Sequence, residues 1–278
     1  MALANSALPI TAEDRLRDHL RNYSSIAIAL SGGVDSTVLT FLAHQELPRG
    51  QVHAITGVSQ SLPASSIDSI KAFCRDHAIP LHLVNTYELN QLNYVRNSPD
   101  RCFHCKDELY EKLQDKASEL GAEVVIDGTH SDDLRGHRPG HQAAIQRGII
   151  SPFVELGIGK PVIREIANSL NLKNAATPSS PCLSSRVAYG IPVTPERLKR
   201  IERSEAFLRS LGYSRVRVRL HGPTARIEVP PADLAKIAAQ HQLISERLRH
   251  FGFTYVTLDL QGYRSGSLLE IVGSNLAT

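Results

Sequence analysis

Along the first 175 residues, short strand-like apolar runs take turns with longer stretches of helical periodicity. The strand-like runs lie at 26–30, 52–58, 81–84 and 124–127, and the first is too short for a helix, so it reads as a buried parallel strand. Helices are predicted between them over 36–45, 64–77 and 105–120, the last closed by Gly121 as a C-cap residue. This alternation predicts an α/β fold in which a parallel sheet carries crossover helices on both faces. The pattern breaks at Thr177-Pro178-Ser179-Ser180-Pro181, where two prolines among small polar residues cannot continue a helix. The domain boundary is placed there, giving an α/β domain over 1–180 and a smaller α+β domain over 181–278. In the second part the predicted order is a helix over 195–211, strands over 214–221 and 224–229, a broken helix over 231–251 and a strand over 255–260. No internal repeat is visible.

Composition narrows the partners more than the fold. With 278 residues, 42% of them hydrophobic, the chain can build two cores, and a net charge of +3 indicates neither disorder nor a surface that coats nucleic acid. The first 22 residues lack an apolar h-region and carry charge from Glu13 onward, and no later stretch approaches a membrane span. A cytoplasmic protein is predicted. Its four cysteines are then thiols, metal ligands or catalysts rather than structural disulfides.

The most specific chemistry follows the first strand, where residues 31–36 read Ser-Gly-Gly-Val-Asp-Ser. Two glycines let the backbone turn tightly and bring bare N–H groups to an anion, Ser31 and Ser36 add hydroxyl donors, and the next helix presents its N-terminus. Gly32 and Gly33 thus belong to a phosphate cradle. It lacks the Gly-Lys-Ser/Thr ending of a Walker loop, and a carboxylate beside phosphates, Asp35, makes sense mainly as a magnesium ligand. A second polar segment, Asp127-Gly128-Thr129-His130-Ser131-Asp132-Asp133, falls at the end of the fourth strand, where ligands bind in open α/β sheets. Its carboxylates either hold magnesium or form a solvated turn.

The cysteines carry a second signal. Cys102-Phe103-His104-Cys105 has the spacing of zinc and iron-sulfur ligands, and Cys182 lies in Pro181-Cys182-Leu183-Ser184-Ser185-Arg186. Three thiolates on a four-iron cluster leave one iron open, whereas zinc would want His104 or another fourth ligand. Cys74 sits among Ile67, Ile70 and Phe73 in a helical pattern and reads as a small buried hydrophobe.

An anionic substrate is suggested by the strand from Ser214, where Val216, Val218 and Leu220 alternate with Arg215, Arg217 and Arg219. A two-residue loop at Gly222-Pro223 would set Arg217 opposite Glu228 and Arg219 opposite Arg226, and stacked like charges favour an anion over a merely solvated face. Glu205 falls in the apolar stripe of the preceding helix and needs a partner, structural or ligand-borne.

The hexapeptide resembles the PP-loop of ATP pyrophosphatases, which split ATP into AMP and pyrophosphate to adenylate a substrate. Taken with the cysteines, the whole chain resembles the LarE family of ATP-dependent sulfur transferases, which thiolate the nickel-pincer nucleotide cofactor of lactate racemase. The resemblance runs through residues 31–36, 127–133, Arg138-Pro139-Gly140, Cys182 to Arg186 with Tyr189-Gly190, Val216 to Arg219, and Leu258-Asp259-Leu260-Gln261-Gly262-Tyr263-Arg264-Ser265-Gly266. It implies an adenine nucleotide hydrolase-like fold over 1–180, with Ser31, Gly32, Gly33, Asp35, Ser36, Gly128 and Asp132 holding ATP and Mg2+. It implies a C-terminal domain for substrate binding and homo-oligomer formation, with Ser185, Arg186, Glu205, Arg217, Arg219 and Arg264 facing a pyridinium dicarboxylate mononucleotide. One family branch sacrifices the sulfur of a single cysteine and leaves dehydroalanine; the other holds a 4Fe-4S cluster on three cysteines. Cys102, Cys105 and Cys182 resemble the cluster branch, and aligning Ser184-Ser185-Arg186 puts Pro181, not Cys182, at the sacrificial position. Asp35 and Cys182 are then the catalytic candidates. A tRNA thiolase with a PP-loop and cluster is the alternative enzyme, disfavoured by the low net charge and the absence of a dense basic tract. A structural-zinc interaction protein with a degenerate ATP site is the alternative outside enzymes.

Overall fold

A computed structural model describes residues 10–134, 139–176, 181–264 and 267–268. In chain order these form α1 (Ala12–Leu20), β1 (Ile26–Ala29), α2 (Val34–Glu46), β2 (Val52–Val58), α3 (Ala64–Asp76), β3 (Leu81–Asn85), α4 (Leu92–Val95), α5 (Arg101–Glu119) and β4 (Val124–Ile126). There follow α6 (Pro139–Gln146), α7 (Pro152–Glu155), α8 (Lys160–Ser169), α9 (Pro195–Ser210), β5 (Arg217–His221), β6 (Thr224–Glu228), α10 (Leu234–Ala239), α11 (His241–His250) and β7 (Tyr255–Leu258). Two compact units emerge, one from 1–58, 65–86 and 106–179, the other from 59–64, 87–105 and 180–278. Residues 177–180, where the predicted boundary falls, lie outside the described residues, as do Arg138, Ser265 and Gly266.

The first unit is built on a four-stranded parallel sheet in the order β3-β2-β1-β4, with Ile26 paired to Val52 on one side and to Val124 on the other. Such a sheet hides its central strand, which is why β1 is apolar at every position. Ile26 and Ile28 pack with Leu16 and Leu20 of α1, Val38, Leu39 and Leu42 of α2, and Ile163 and Ile166 of α8. A separate cluster joins Leu30 and Ala54 to Ile70 and Cys74 of α3. Each such aliphatic side chain contributes about 1.5–3 kcal/mol when buried. Cys74 is the buried hydrophobe expected, and burial pushes its thiol up to about 11. Strand order reverses between β1 and β4, and the carboxyl ends of strands at such a reversal leave a crevice for ligands.

In the second unit, β5 and β6 form an antiparallel hairpin and β7 joins β6 in parallel through α10 and α11. The register sets Arg217 opposite Glu228 and Arg219 opposite Arg226, as the loop length predicts. Val216, Val218 and Leu220 bury one face against Leu198, Ile201 and Leu208 of α9 and Leu248 of α11. Thr194 caps α9 by accepting the Arg197 N–H, and Pro195 occupies its first turn.

Two expectations change. Helix α5 starts at Arg101 rather than at residue 105, so Cys102 as well as Cys105 lies in its opening turns. Strand β5 starts at Arg217 rather than at residue 214, so Arg215 lies before it and is exposed, while Arg217 and Arg219 are buried.

Candidate active site

The phosphate cradle forms where β1 hands the chain to α2. Gly32 adopts φ +79°, and a Cβ there would come 2.9 Å from Ile70 Cγ1. Gly33 is the N-cap of α2 and has no side chain to satisfy the first-turn N–H groups, so they remain available to an anion. Hydroxyls shape the loop from within: Ser36 Oγ donates to the Gly33 carbonyl at 3.2 Å and lies 3.1 Å from Ser31 Oγ, while the Ser31 N–H donates to Ser36 Oγ at 3.2 Å. Gly128, at the end of β4, packs so closely on this turn that a Cβ would sit 2.7 Å from the Ser36 nitrogen. Its role is therefore visible as close backbone approach.

Asp35 faces Lys160, whose ammonium donates to both carboxylate oxygens at 2.6 Å. That lysine opens α8 behind the N-cap Gly159, and its backbone N–H donates to Asp132 Oδ2 at 2.7 Å. Asp132 thus fixes the helix end that brings Lys160 to Asp35. At the head of the second polar segment, Asp127 is neither solvated nor free. Buried Asp127 accepts the Thr129 N–H and Ser151 hydroxyl on Oδ1 and the Tyr110 and Thr129 hydroxyls on Oδ2. Burial pushes its carboxyl up, but the Lys106 charge and these donors more than reverse that, leaving it below the usual carboxylate range. Lys160 was not anticipated from the sequence, because it stands alone more than a hundred residues beyond the loop it serves.

All three sulfur candidates fall in the second unit. Cys102 is exposed, Cys105 half-buried, and the two lie one turn apart on α5. Cys182, half-buried, precedes a tight 3-10 turn over Leu183–Arg186. Its carbonyl accepts the Ser185 N–H at 3.0 Å, the Ser185 hydroxyl at 2.7 Å and Arg186 Nη1 at 2.9 Å. Two buried side chains see cysteines from both segments. The Tyr94 hydroxyl, bonded to Ser184 Oγ, is pushed well above its ordinary value by burial and by the charges of Cys182 and Cys105. The Arg101 guanidinium feels burial first and then Cys182 and Cys102. His104 points its Nε2 at Asp100 Oδ2, 3.4 Å away. Among the described residues, no three His, Cys, Asp or Glu side chains converge on a single ion position.

Behind Cys182 stands a charged frame. Arg186 is wholly buried and grips Glu205 through Nε at 3.0 Å and Nη2 at 3.3 Å, while its Nη1 reaches the Pro181 carbonyl. Glu205, 1% exposed, also accepts Arg209 Nη2 at 2.6 Å and the Val218 N–H at 3.2 Å, so its partners are structural. Burial raises its carboxyl, and Arg186, Arg217 and Arg209 bring it below the usual value. Arg219 bonds Glu228 Oε2 at 3.0 Å and the Ser185 carbonyl at 3.1 Å, and Arg226 takes Glu228 Oε1 at 2.9 Å. The stacked Arg219 and Arg226 therefore share Glu228, and the cross-strand partner Arg217 is not what neutralises it. Arg217 lies 5.5 Å from the Tyr263 ring centroid, and Arg264 pairs with Asp259 at 3.1 Å. Burial and the Arg186 charge push Arg217 below its ordinary value, a setting that an arriving anion would relieve.

Comparison with known proteins agrees with this layout. The asparagine synthase family matches residues 11–101. The chain is 26% identical over 197 residues to a component of the glutamine-hydrolysing GMP synthase of Thermococcus kodakarensis, covering 65% of this chain and 62% of that one. It is 43% identical over 261 residues to an uncharacterised protein of Synechocystis sp., covering 93% of this chain and 97% of that one. It is 32% identical over 260 residues to the pyridinium-3,5-bisthiocarboxylic acid mononucleotide synthase of Lactiplantibacillus plantarum, covering 93% and 94%. With the phosphate cradle at the sheet reversal and this likeness along nearly its whole length, the chain belongs to the LarE family of ATP-using sulfur transferases.

Proposed function

We propose that the protein adenylates a carboxylate of a pyridinium dicarboxylate mononucleotide and converts it to a thiocarboxylate. The observation that carries this reading is that Tyr94 and Arg101, the latter next to Cys102, both bond Ser184 in the turn after Cys182, which ties the helix bearing the cysteine pair to the segment bearing the third cysteine in a chain of this family. In the first half-reaction, Ser31, Ser36 and the bare N–H groups after Gly33 hold the ATP phosphates, and Asp35 binds magnesium. Lys160 then leaves Asp35 for the phosphates, where it offsets charge on the departing pyrophosphate. A substrate carboxylate oxygen attacks the α-phosphorus, the bond to pyrophosphate breaks, and an acyl adenylate remains. In the second, sulfide attacks the acyl carbon and AMP leaves with the former carboxylate oxygen, a substitution with no net redox change. Arg217 is the guanidinium we assign to the substrate's anionic groups, while Arg186, Glu205 and Arg219 hold the Cys182 turn and the hairpin in place.

The three thiols suit a 4Fe-4S cluster better than zinc. The donors are all soft, and His104, which would complete a zinc set, is turned toward Asp100. Cys102, Cys105 and Cys182 would hold the cluster, which would supply the labile sulfide that attacks the acyl adenylate. Anaerobic incubation with ATP, Mg2+ and the mononucleotide, followed by mass spectrometry of small molecules and protein, tests both halves. AMP, pyrophosphate and the thiocarboxylate are expected. Adenylation with no sulfur in the product from iron-loaded protein would refute the reading; dehydroalanine at position 182 in iron-free protein would overturn the cluster as sulfur source.

A further inference from the structure

Arg101 has an anomaly that its own hydrogen bonds do not resolve. Its side chain is 4% exposed, yet its partners are neutral: the Asn97 Oδ1, the Ser184 carbonyl at 2.8 Å, and the Tyr189 ring with its centroid 6.0 Å away. Among the described residues, no carboxylate comes within ion-pair distance of it. Of the buried carboxylates of the same unit, Glu88 spends Oε1 on the hydroxyls of Ser59 and Ser61, while Glu205 and Glu228 are bonded to other arginines. A guanidinium cannot shed its proton to escape burial, so a buried one without an anion is costly. Evolution of a neutral side chain would relieve that cost, unless an anion arrives.

The geometry says where the anion belongs. Arg101 is the residue next to Cys102, and its Nη1 bond to the Ser184 carbonyl pins it to the turn that Cys182 opens. Asn97 completes the clasp by donating Nδ2 to the carbonyls of Ala188 at 2.8 Å and Ile191 at 2.9 Å. One buried positive charge therefore sits between the segment bearing the cysteine pair and the segment bearing the third cysteine. We propose that Arg101 is the fixed counter-charge of the sulfur centre: a positioning residue that draws anionic sulfur to Cys102 and Cys182 and offsets its charge. This rests on the reading of the three cysteines as that centre. Three thiolates outweigh the double positive charge of an oxidised cluster core, so a loaded centre is an anion, and an added sulfide makes it more so.

Two measurements on the full chain separate this inference from the cluster reading. In metal-free protein, Cys102 and Cys182 are alkylated with anionic iodoacetate and neutral iodoacetamide at one pH, and the rates are read by peptide mass spectrometry. The ratio of the two rates cancels the thiolate fraction and reports local potential. Arg101→Gln should lower the iodoacetate preference about fivefold, whereas Arg101→Lys, which keeps the charge but loses the fork, should retain most of it. Folded wild type compared with the same protein in urea gives the same readout if Arg101→Gln does not fold. An unchanged ratio at both cysteines, or equal loss in the Gln and Lys variants, overturns the proposal. In anaerobically reconstituted protein, Arg101→Gln should shift the cluster reduction potential downward and Arg101→Lys should hold it near wild type; the same potential in all three overturns it as well. Wild type that takes up no iron defeats the cluster reading alone, and the alkylation ratio still judges Arg101.

Discussion

At the scale of single residues, the proposed ATP site rests on the Asp35–Lys160 ion pair, which nucleotide and magnesium would exchange for new partners. Asp35→Ala should abolish magnesium-dependent formation of AMP and pyrophosphate while iron content and fold persist, because the side chain is half-buried in the first turn of α2 and belongs to no core cluster. A pyrophosphate-release assay at saturating ATP checks this, and turnover at the wild-type rate would remove Asp35 from the mechanism. Asp127 answers to a different test. Its folded carboxyl titrates below the unfolded one, so the unfolded chain binds the proton first; the stabilisation is whole above about pH 4 and is lost as pH falls through the lower folded value. Asp127→Asn should cost about 2–4 kcal/mol at pH 7, since the three hydroxyls and one N–H that converge on it lose a charged acceptor. The deficit should shrink as wild type and variant are compared in urea at successively lower pH, and equal stability at pH 7 would show that the hub carries no energy.

At the scale of elements, the hairpin separates a substrate contact from a support. Arg219→Ala removes a partner from the fully buried Glu228 and should destabilise by about 3–5 kcal/mol, read from urea unfolding. Arg217→Ala should instead raise the KM for the mononucleotide at least tenfold with the KM for ATP nearly unchanged, as measured by steady-state AMP release. Matching effects on both substrates would return Arg217 to a structural role. Much of this element plan was legible: the alternation from Val216 to Leu220 and the two-residue loop at Gly222-Pro223 together give the register, because a strand has only two faces. The start of α5 was not, since Arg101 to His104 reads equally as a ligand-bearing loop until Arg101 donates its N–H to the Ser98 carbonyl and begins the turn. Lys160 and Arg101 escaped for a related reason. Each acquires its meaning from a residue far along the chain, Asp35 in one case and Ser184 in the other, and no local pattern encodes such a meeting.

At the scale of the whole molecule, the residues proposed for ATP cleavage and those proposed for sulfur delivery fall in separate units, so the two half-reactions should fail separately. Cys102→Ser, Cys105→Ser or Cys182→Ser should each lose iron and thiocarboxylate formation while AMP and pyrophosphate still appear. Iron analysis beside product analysis checks this; silent Cys102 and Cys105 variants would leave Cys182 acting alone. The membership of the second unit also has a bearing on how the protein is born. Because that unit draws on residues 59–64 and 87–105 as well as 180–278, the cysteine pair leaves the ribosome while the turn that carries Cys182 and the sheet beneath it are still unsynthesised. At roughly 5–20 residues per second, those early thiols spend seconds with no partner to close over them. Their oxidation in that interval would strand a chain that cannot complete its second unit's sulfur site, so the yield of sulfur-competent enzyme should depend on oxygen during translation and not only afterwards.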